Sequence, residues 1–411
     1  MSNLKVDADR LWSSLMETAR YGGTPDGGIR RLTLTPEDRQ VRDWLRGECE
    51  ALGCTVTVDA LGNMFACRPG TEAGALPVAM GSHLDTQPTG GKFDGILGVL
   101  AGLEVLRTLD AAGYRTRRPL MLVNWTNEEG SRFSPAMLCS GAYAGVFAVE
   151  DVLARPDARG ITFGEALQAI GYAGEAEVGS VRFGEMFELH IEQGPVLEHE
   201  GAVIGIVTGV QGMRWYDLVV EGRAAHAGTT PMALRRDALV GAAHIVLIVH
   251  RIAREHGGVA TVGEIGVSDA SRNVVPGEVR MTLDLRHPES AVLAAMEAAI
   301  EAALAGPDLA ATPVRLARLW DSPPVAFDAG CIAAIREGAA AAGYPAREIV
   351  SGAGHDSVYV ARVAPTAMIF VPCKEGLSHN PAESATPADC AAGAQTLLNA
   401  VLARADRTDS D

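Results

Sequence analysis

The chain has 411 residues, more than one hydrophobic core usually serves, so we expect two domains or one domain carrying an insertion. The net charge of −16 disfavours nucleic acid and anionic membranes as partners, because both require clustered Lys and Arg. The seven cysteines include no C-x-x-C pair, which argues against a disulfide framework and against a cysteine-based zinc site. Residues 1–20 lack an apolar signal segment, and we therefore predict a cytoplasmic protein.

Helix-like and strand-like patterns alternate through the first half of the chain. Thr35 and Pro36 open an amphipathic helix at 36–52, and another helix is predicted at 4–20. Short apolar strands are predicted at 54–59, 64–68, 77–80 and 119–125. This alternation predicts an α/β fold with a mixed, mostly parallel sheet and flanking helices.

Polar residues follow these strands where each strand ends. His83 ends one strand, and Asp94 follows it across a glycine-rich loop at the start of a helix. Glu128 and Glu129 come directly after the strand at 119–125. Open α/β sheets bind ligands at this edge, although each motif alone is also compatible with a turn, a cap or a solvated acidic loop. In the next strand-like stretch, His190 shares a face with two carboxylates, which is unusual for a core histidine.

The pattern changes near Gln211 and resumes near residue 323. Strands and helices in the order β-α-β-β-α-β are predicted between these points at 215–221, 233–254, 261–267, 278–286, 291–305 and 313–320. This order is the ferredoxin-like arrangement. We therefore predict a catalytic domain made of residues 1–210 and 323–411, interrupted by an inserted α+β domain at 211–322.

The α/β pattern resumes after the insertion. It contains helices at 329–342 and 387–404 and strands at 348–350 and 366–371. A loop with Gly352 and Gly354 follows the first of these strands, and a loop with His379 follows the second. These loops add a third histidine to the set of polar residues at strand ends.

The collected donors are nitrogen and oxygen atoms without a thiolate: His83, Asp94, Glu128, Glu129, His190 and His379. Imidazole and carboxylate together suit Zn²⁺, Mn²⁺, Co²⁺ or Ni²⁺. The set exceeds the three protein ligands of one catalytic zinc, so we predict a pair of bridged divalent ions. Such a pair can hydrolyse an amide without a covalent intermediate.

Six motifs, in order, carry a resemblance to a known family: G-S-H-L-D-T with G-G-K-F-D-G, N-E-E-G-S-R-F, H-I-E-Q-G, H-A-G-T-T-P-M, R-N-V-V-P-G with D-L-R, and S-H-N-P-x-E. They resemble the amidohydrolase branch of the di-metal aminoacylase and carboxypeptidase superfamily. That branch contains N-carbamoyl-L-amino-acid hydrolases, β-ureidopropionases and allantoate amidohydrolases. The resemblance covers residues 18–404 and implies a fold like that of the di-zinc peptidases, with the insertion acting as a lid and dimerisation domain.

The resemblance also implies ligand roles at two metal ions per subunit. His83, Asp94 and His190 would bind one ion; Asp94, Glu129 and His379 would bind the other, with Asp94 as the bridge. The adjacent Glu128 would be the general base, a role that its position beside a ligand allows. The carboxylate of Asp85 would bind no ion itself but would orient the ring of His83.

Further residues would bind the substrate. Arg286 and Asn273 would grip its α-carboxylate, and Gln193, Gly352 and Gly354 would complete the pocket. His226 would stabilise the oxyanion, in the site of the neighbouring subunit of a homodimer that pairs through inserted domains. The apolar surface of the helix at 233–254 exceeds what one small sheet needs, which is compatible with such a dimer. The residues alone leave open a turn histidine at position 226 and a surface ion pair at position 286.

The predicted function is hydrolysis of an N-carbamoyl L-amino acid, a small ureido acid, to the amino acid, carbon dioxide and ammonia. The alternatives are an allantoate amidohydrolase or a β-ureidopropionase, then an aminoacylase or dipeptidase, and last a binding protein that has lost its metals. The sequence does not decide between α- and β-carbamoyl amino acids, among side chains, or among metals.

Overall fold

The computed structural model describes residues 4–407. Within them the chain forms two compact units: one extends to Thr208 and resumes at Phe327, and the other is Gly209–Ala326. The N–H of Phe327 donates to the carbonyl of Thr208 at 3.0 Å, so the first unit's two segments meet where the second is inserted.

The α-helices are α1 Ala8–Thr18, α2 Pro36–Ala51, α3 Ile96–Ala111, α4 Leu138–Tyr143, α5 Val149–Leu153, α6 Phe163–Ile170, α7 Val196–Glu200, α8 Ala238–His256, α9 Ser290–Leu304, α10 Ala329–Ala342, α11 Ser357–Val360 and α12 Pro387–Ala405. Helix α2 begins as predicted, because the Thr35 side chain accepts from the N–H of Asp38 and Pro36 occupies the first turn. Helix α1 is shorter than predicted, because Asp7 caps its first turn. Between residues 4 and 407, none of the helices has both the length and the apolar character to cross a membrane.

The β-strands are β1 Thr55–Val58, β2 Met64–Arg68, β3 Val78–His83, β4 Leu120–Trp125, β5 Glu185–Ile191, β6 Ile204–Val210, β7 Gly212–Glu221, β8 Ala225–His226, β9 Val259–Thr261, β10 Ile265–Val267, β11 Val274–Val275, β12 Glu278–His287, β13 Val314–Ser322, β14 Val325–Ala326, β15 Ala346–Ser351 and β16 Thr366–Val371. Three short 3₁₀ turns lie at Met232–Leu234, Pro307–Leu309 and Lys374–Gly376 in the described residues.

The large sheet has the order β1-β2-β4-β3-β5-β16-β6-β14, with β15 paired to β6. Its four central strands, β4, β3, β5 and β16, are mutually parallel, and β2 and β6 flank them in the antiparallel direction. Every residue of the four central strands is buried, as expected for a parallel sheet covered on both faces. The predicted mixed α/β fold with a parallel central sheet is therefore confirmed.

The unit Gly209–Ala326 contains a separate five-stranded sheet in the order β10-β12-β7-β13, with β9 also paired to β12. Helices α8 and α9 pack on one face through a core that includes Leu218, Ile245, Leu283 and Met296. Strands β8 and β11 form a separate two-stranded ladder.

Two predicted elements of this unit were wrong in their bounds. Helix α8 begins at Ala238 and not at residue 233, because Asp237 caps it by accepting from the N–H groups of Leu239 and Val240. The strand predicted at 261–267 consists of β9 and β10, which pair with different parts of β12. Apolar periodicity alone could not place either boundary.

Candidate metal centre

Three neighbouring parallel strands deliver the first donors to one edge of the large sheet. His83 is the last residue of β3 and lies opposite Trp125, the last residue of β4. Glu128 and Glu129 follow β4 directly, and His190 lies near the carboxyl end of β5. Because these strands run in the same direction, their carboxyl ends meet, and so do the side chains that follow them.

His83, Asp94 and His190 form the first group of potential ligands. One donor atom from each lies within 4.8 Å of the other two. The Oδ1 atom of Asp94 is 3.5 Å from Nε2 of His83 and 3.2 Å from Nε2 of His190. All three side chains are buried, so the group is sheltered from water.

Asp94, Glu129 and His379 form a second group that satisfies the same 4.8 Å criterion. Here the other oxygen of Asp94, Oδ2, is 3.5 Å from Nε2 of His379, which lies 3.4 Å from Oε2 of Glu129. Gln193 also reaches this group, since its Nε2 donates to Asp94 Oδ2 at 2.7 Å. Asp94 thus presents one oxygen to each group, which is the arrangement that a bridging carboxylate requires.

The chemistry of these residues fits divalent cations. Nε2 of His83 is buried, and no described residue within 4–407 offers it a hydrogen bond, so its lone pair points at the place where a cation would lie. Burial lowers the pKa of His83 to about 4, which keeps the ring neutral, and the contact of Nδ1 with the Asp85 carbonyl at 2.9 Å places the one ring proton on Nδ1. Burial and then the neighbouring carboxylates raise the pKa values of Glu128 and Glu129 well above the usual range. Positive charge between these groups would lower the pKa values of both glutamates and would favour the neutral ring of His83.

Glu128 lies beside both groups without being a member of either. Its Oε2 is 3.6 Å from Nε2 of His83, and its side chain is buried. The carboxylate of Asp85 accepts from the backbone N–H groups of Glu128 and Glu129, each at 3.3 Å. This pair of bonds fixes the backbone that carries the two adjacent glutamates.

The contact between Asp85 and His83 differs from the expected one. Nδ1 of His83 lies 2.9 Å from the backbone carbonyl of Asp85, whereas the carboxylate is 3.8 Å away. The carbonyl therefore orients the ring, and the carboxylate is used for the N–H groups of the Glu128 turn.

The loop with Gly352 and Gly354 borders the same site. Met137 packs against Gly354 so closely that a Cβ there would lie 2.9 Å from its Cε, and the N–H of Met137 donates to the Glu128 carbonyl at 2.6 Å. His355, which follows Gly354, places its ring 4.6 Å from the ring of His190. The structure thus brings this loop to the predicted ligands.

The remaining predicted residues belong to the unit Gly209–Ala326. Its β8–β11 ladder places His226 opposite Val274, and the carbonyl of Asn273 accepts from the next N–H along, that of Ala227. His226 and Asn273 are therefore neighbours, and both are exposed.

Arg286 is not brought to this pair. Glu278 and Arg286 lie eight residues apart on β12, which corresponds to about 26 Å along a strand, and the β8–β11 ladder lies beyond Glu278. The Arg286 guanidinium donates to Asp284 on the same strand at 2.6 Å and 3.0 Å. Within one chain, Asn273 and Arg286 do not face a common ligand.

Sequence reasoning assigned no role to two buried carboxylates near the site. Glu188, two residues before His190 on β5, accepts from the hydroxyl groups of Ser82 at 2.6 Å and Ser357 at 2.5 Å. Glu383 accepts from the backbone N–H of Asp94 at 3.0 Å. The signal for Glu383 was present in the motif S-H-N-P-x-E, where its identity was noted but no role was assigned.

Known proteins resemble this chain over nearly its whole length. The sequence model of the family described as "Peptidase family M20/M25/M40" matches residues 79–403. An N-carbamoyl-L-amino-acid amidohydrolase of Rhizobium meliloti is 47% identical over 98% of both chains. One of Geobacillus stearothermophilus is 40% identical over 96% of this chain and 98% of its own. The crystal structure of a hydantoinase/carbamoylase family amidase from Burkholderia multivorans is 53% identical, with a TM-score of 0.96 over 99% of this chain and 100% of that one.

Proposed function

The chain belongs to peptidase family M20/M25/M40, and from that premise we propose that it hydrolyses N-carbamoyl-L-amino acids to the amino acid, carbon dioxide and ammonia. The observation that supports a hydrolase is the pair of donor groups that share Asp94, with Glu128 beside them. The substrate class is supported by the relatives named above, which match 98% and 96% of this chain.

The two groups would hold two divalent cations per subunit, Zn²⁺ or else Mn²⁺, Co²⁺ or Ni²⁺. His83, Asp94 and His190 would hold one, and Asp94, Glu129 and His379 the other. When bound, such ions supply Lewis acidity for a ureido carbonyl and lower the pKa of water.

Glu128 acts as the general base in this proposal. Its Oε2 lies 3.6 Å from Nε2 of His83, so the carboxylate would be placed to take a proton from the attacking water and to give that proton to the leaving nitrogen. The burial of Glu128 excludes bulk water, and the Asp85 carboxylate keeps the backbone of its turn in place. Gln193 and the backbone of Gly352 and Gly354 would line the substrate pocket.

We infer a homodimer from the geometry of the second unit. Arg286 and Asn273 would bind one α-carboxylate only if they come from different chains, because about 26 Å of strand separates Arg286 from Glu278, which Asn273 precedes. His226, the neighbour of Asn273, would then stabilise the oxyanion in the partner's site. The exposed apolar side chains of α8, including Val240 and Leu247, offer a surface for a two-fold contact.

The domain assignment follows from this proposal. Residues 1–210 and 323–411 would form the catalytic domain, and residues 211–322 a ferredoxin-like lid and dimerisation domain that moves on substrate binding. We propose that the protein acts in the cytoplasm on a small ureido acid and uses neither nucleic acid nor a membrane as a partner, in keeping with its net charge of −16.

Hydrolysis of a substrate panel tests the function, measured as ammonia release for the ureido compounds and as amino acid release for the N-acetyl amino acid and the dipeptide. The panel contains N-carbamoyl-L-amino acids, N-carbamoyl-β-alanine, allantoate, an N-acetyl amino acid and a dipeptide. We expect N-carbamoyl-L-amino acids to be cleaved with the highest kcat/KM, chelated protein to be inactive, and Zn²⁺, Mn²⁺, Co²⁺ or Ni²⁺ to restore activity. Full activity without a bound transition metal, or faster cleavage of the acetyl or peptide bond, would reject the proposal.

Substitution of Arg286 tests the carboxylate contact. A point charge replaces a planar fork in Arg286→Lys, so we expect KM to rise about 10–100-fold, the range for losing a charged hydrogen bond. Arg280→Lys, on the same face of β12 but 70% exposed in its side chain, is the matched control and should leave KM unchanged. Equal rates of wild-type protein on an N-carbamoyl acid and its methyl ester would remove Arg286 from this role.

A further inference from the structure

One conspicuous residue near the two donor groups has no part in the scheme above. Glu383 is buried, and its Oε1 accepts from the N–H groups of Phe93 at 2.9 Å and Asp94 at 3.0 Å. Its Oε2 lies 3.0 Å from the hydroxyl of Ser378, the residue before His379. A single carboxylate thus connects the loop that carries Asp94 to the loop that carries His379.

The hydroxyl of Ser378 extends this connection to the side chain of Asp94. Ser378 Oγ is 2.6 Å from Asp94 Oδ2 as well as 3.0 Å from Glu383 Oε2. Glu383 therefore supports the backbone of Asp94 directly, and the Ser378 hydroxyl, which has one proton to donate, lies between the two carboxylates. Asp94 is common to both donor groups in the described part of the chain, so its placement affects both.

Gly91 provides the space that this connection needs. A Cβ on Gly91 would overlap the Cβ, Cδ and Oε1 atoms of Glu383. Gly91 does not have a positive φ, so its backbone conformation does not require glycine. The residue must be glycine because the Glu383 side chain occupies the space that a Cβ would fill. The glycine of one loop and the glutamate of the other are complementary in shape.

We propose that Glu383 is a positioning residue that holds the Asp94 loop and the His379 loop at the separation needed to bind two cations. The proposal rests on the two-cation centre proposed above and on no particular substrate. Without the carboxylate, the N–H groups of Phe93 and Asp94 would lack their acceptor, and the two loops would lose their link. Partners that orient the ligands of a metal typically contribute 10–100-fold to its affinity.

Metal affinity, measured by titrating metal-free protein with Zn²⁺ against a competing chelator, tests the role of Glu383 without an activity assay. We expect Glu383→Ala to bind at least one of two cations about 10–100-fold more weakly. Glu383→Gln should recover most of the affinity, since its amide oxygen can accept both N–H bonds and its NH₂ can donate to Ser378 Oγ. If Glu383→Ala bound Zn²⁺ weakly only because the protein was less stable, Glu383→Gln would not be expected to restore the affinity.

Gly91→Ala gives a second test that keeps the carboxylate but displaces it. We expect weaker cation binding, and a double variant with Glu383→Ala no worse than Glu383→Ala alone, because both changes break one connection. Gly90→Ala, whose Cβ would have its nearest contact at 3.1 Å, is the matched glycine control. Asp237→Ala removes a carboxylate that accepts from the N–H groups of Leu239 at 3.1 Å and Val240 at 3.4 Å, in the unit Gly209–Ala326 and outside both loops. Both controls should keep wild-type affinity.

The outcomes separate this inference from the function proposed above. Wild-type protein that binds no cation would overturn the metal centre and this inference together. Two cations in wild type and unchanged affinity in Glu383→Ala or Gly91→Ala would overturn the positioning role alone. If Glu383→Ala fails to fold, Gly91→Ala and Ser378→Ala carry the test, and unchanged affinity in both would again reject the role.

Discussion

Glu128→Gln is expected to lower kcat by about 10²–10⁴-fold, the usual contribution of a general base. The amide has nearly the size of the carboxylate but does not take up a proton. Because Glu128 belongs to neither donor group, cation content and KM should change little. The measurements are steady-state ammonia release, metal analysis and thermal unfolding of the same preparation.

Glu104→Gln is a suitable control for this experiment. Glu104 is also buried, but it lies on α3 and pairs with Arg10 at 2.7 Å, away from both donor groups. Its loss should reduce stability and leave kcat near the wild-type value. Turnover retained in Glu128→Gln would show that another group takes the proton.

A mixture of inactive His226→Ala and inactive Glu128→Gln is expected to regain activity once subunits exchange. If His226 acts in the partner's site, a hybrid dimer has one site with both defects and one site with neither. Each hybrid should then show half of wild-type activity, because one of its two sites is intact. Native mass spectrometry of differently tagged chains would give the hybrid fraction.

Mixing His83→Ala with Glu128→Gln is the matched control for complementation. Both residues belong to the same unit of one chain, so each site of that hybrid keeps one defect and stays inactive. If subunit exchange is confirmed and hybrids of His226→Ala with Glu128→Gln remain inactive, His226 acts in the site of its own chain or has no role in catalysis.

The donor set could be collected from sequence because its members lie at or just after the ends of strands with clear apolar patterns, whereas the division into two ligand groups came from the resemblance. His83, Asp94 and Glu129 lie within three short segments, and the parallel sheet then decides that they meet. The structure brings together the atoms that the resemblance assigns to each group.

Other features of the site could not be predicted, because the sequence pattern does not give the distance between residues that are far apart in the chain or at opposite ends of a strand. Asn273 and Arg286 are 13 positions apart in the chain, yet an extended strand separates them by more than the length of any side chain. The support of Asp94 by Glu383 joins residues 289 positions apart, so no local periodicity could reveal it. Helix α8 began later than predicted because the polar cap at Asp237 overrode an apolar run.

The hydrogen bond between Phe327 and Thr208 has a consequence for how the catalytic unit assembles. An excursion of 118 residues, Gly209–Ala326, normally adds entropy that must be lost when its flanks meet, although this cost grows only with the logarithm of length. Here Val210 pairs with Val325 and Gly209 with Ala326, so the excursion's own ends already lie side by side. Once the excursion has folded and its ends lie side by side, joining its flanks costs no more loop entropy than joining the flanks of a tight turn.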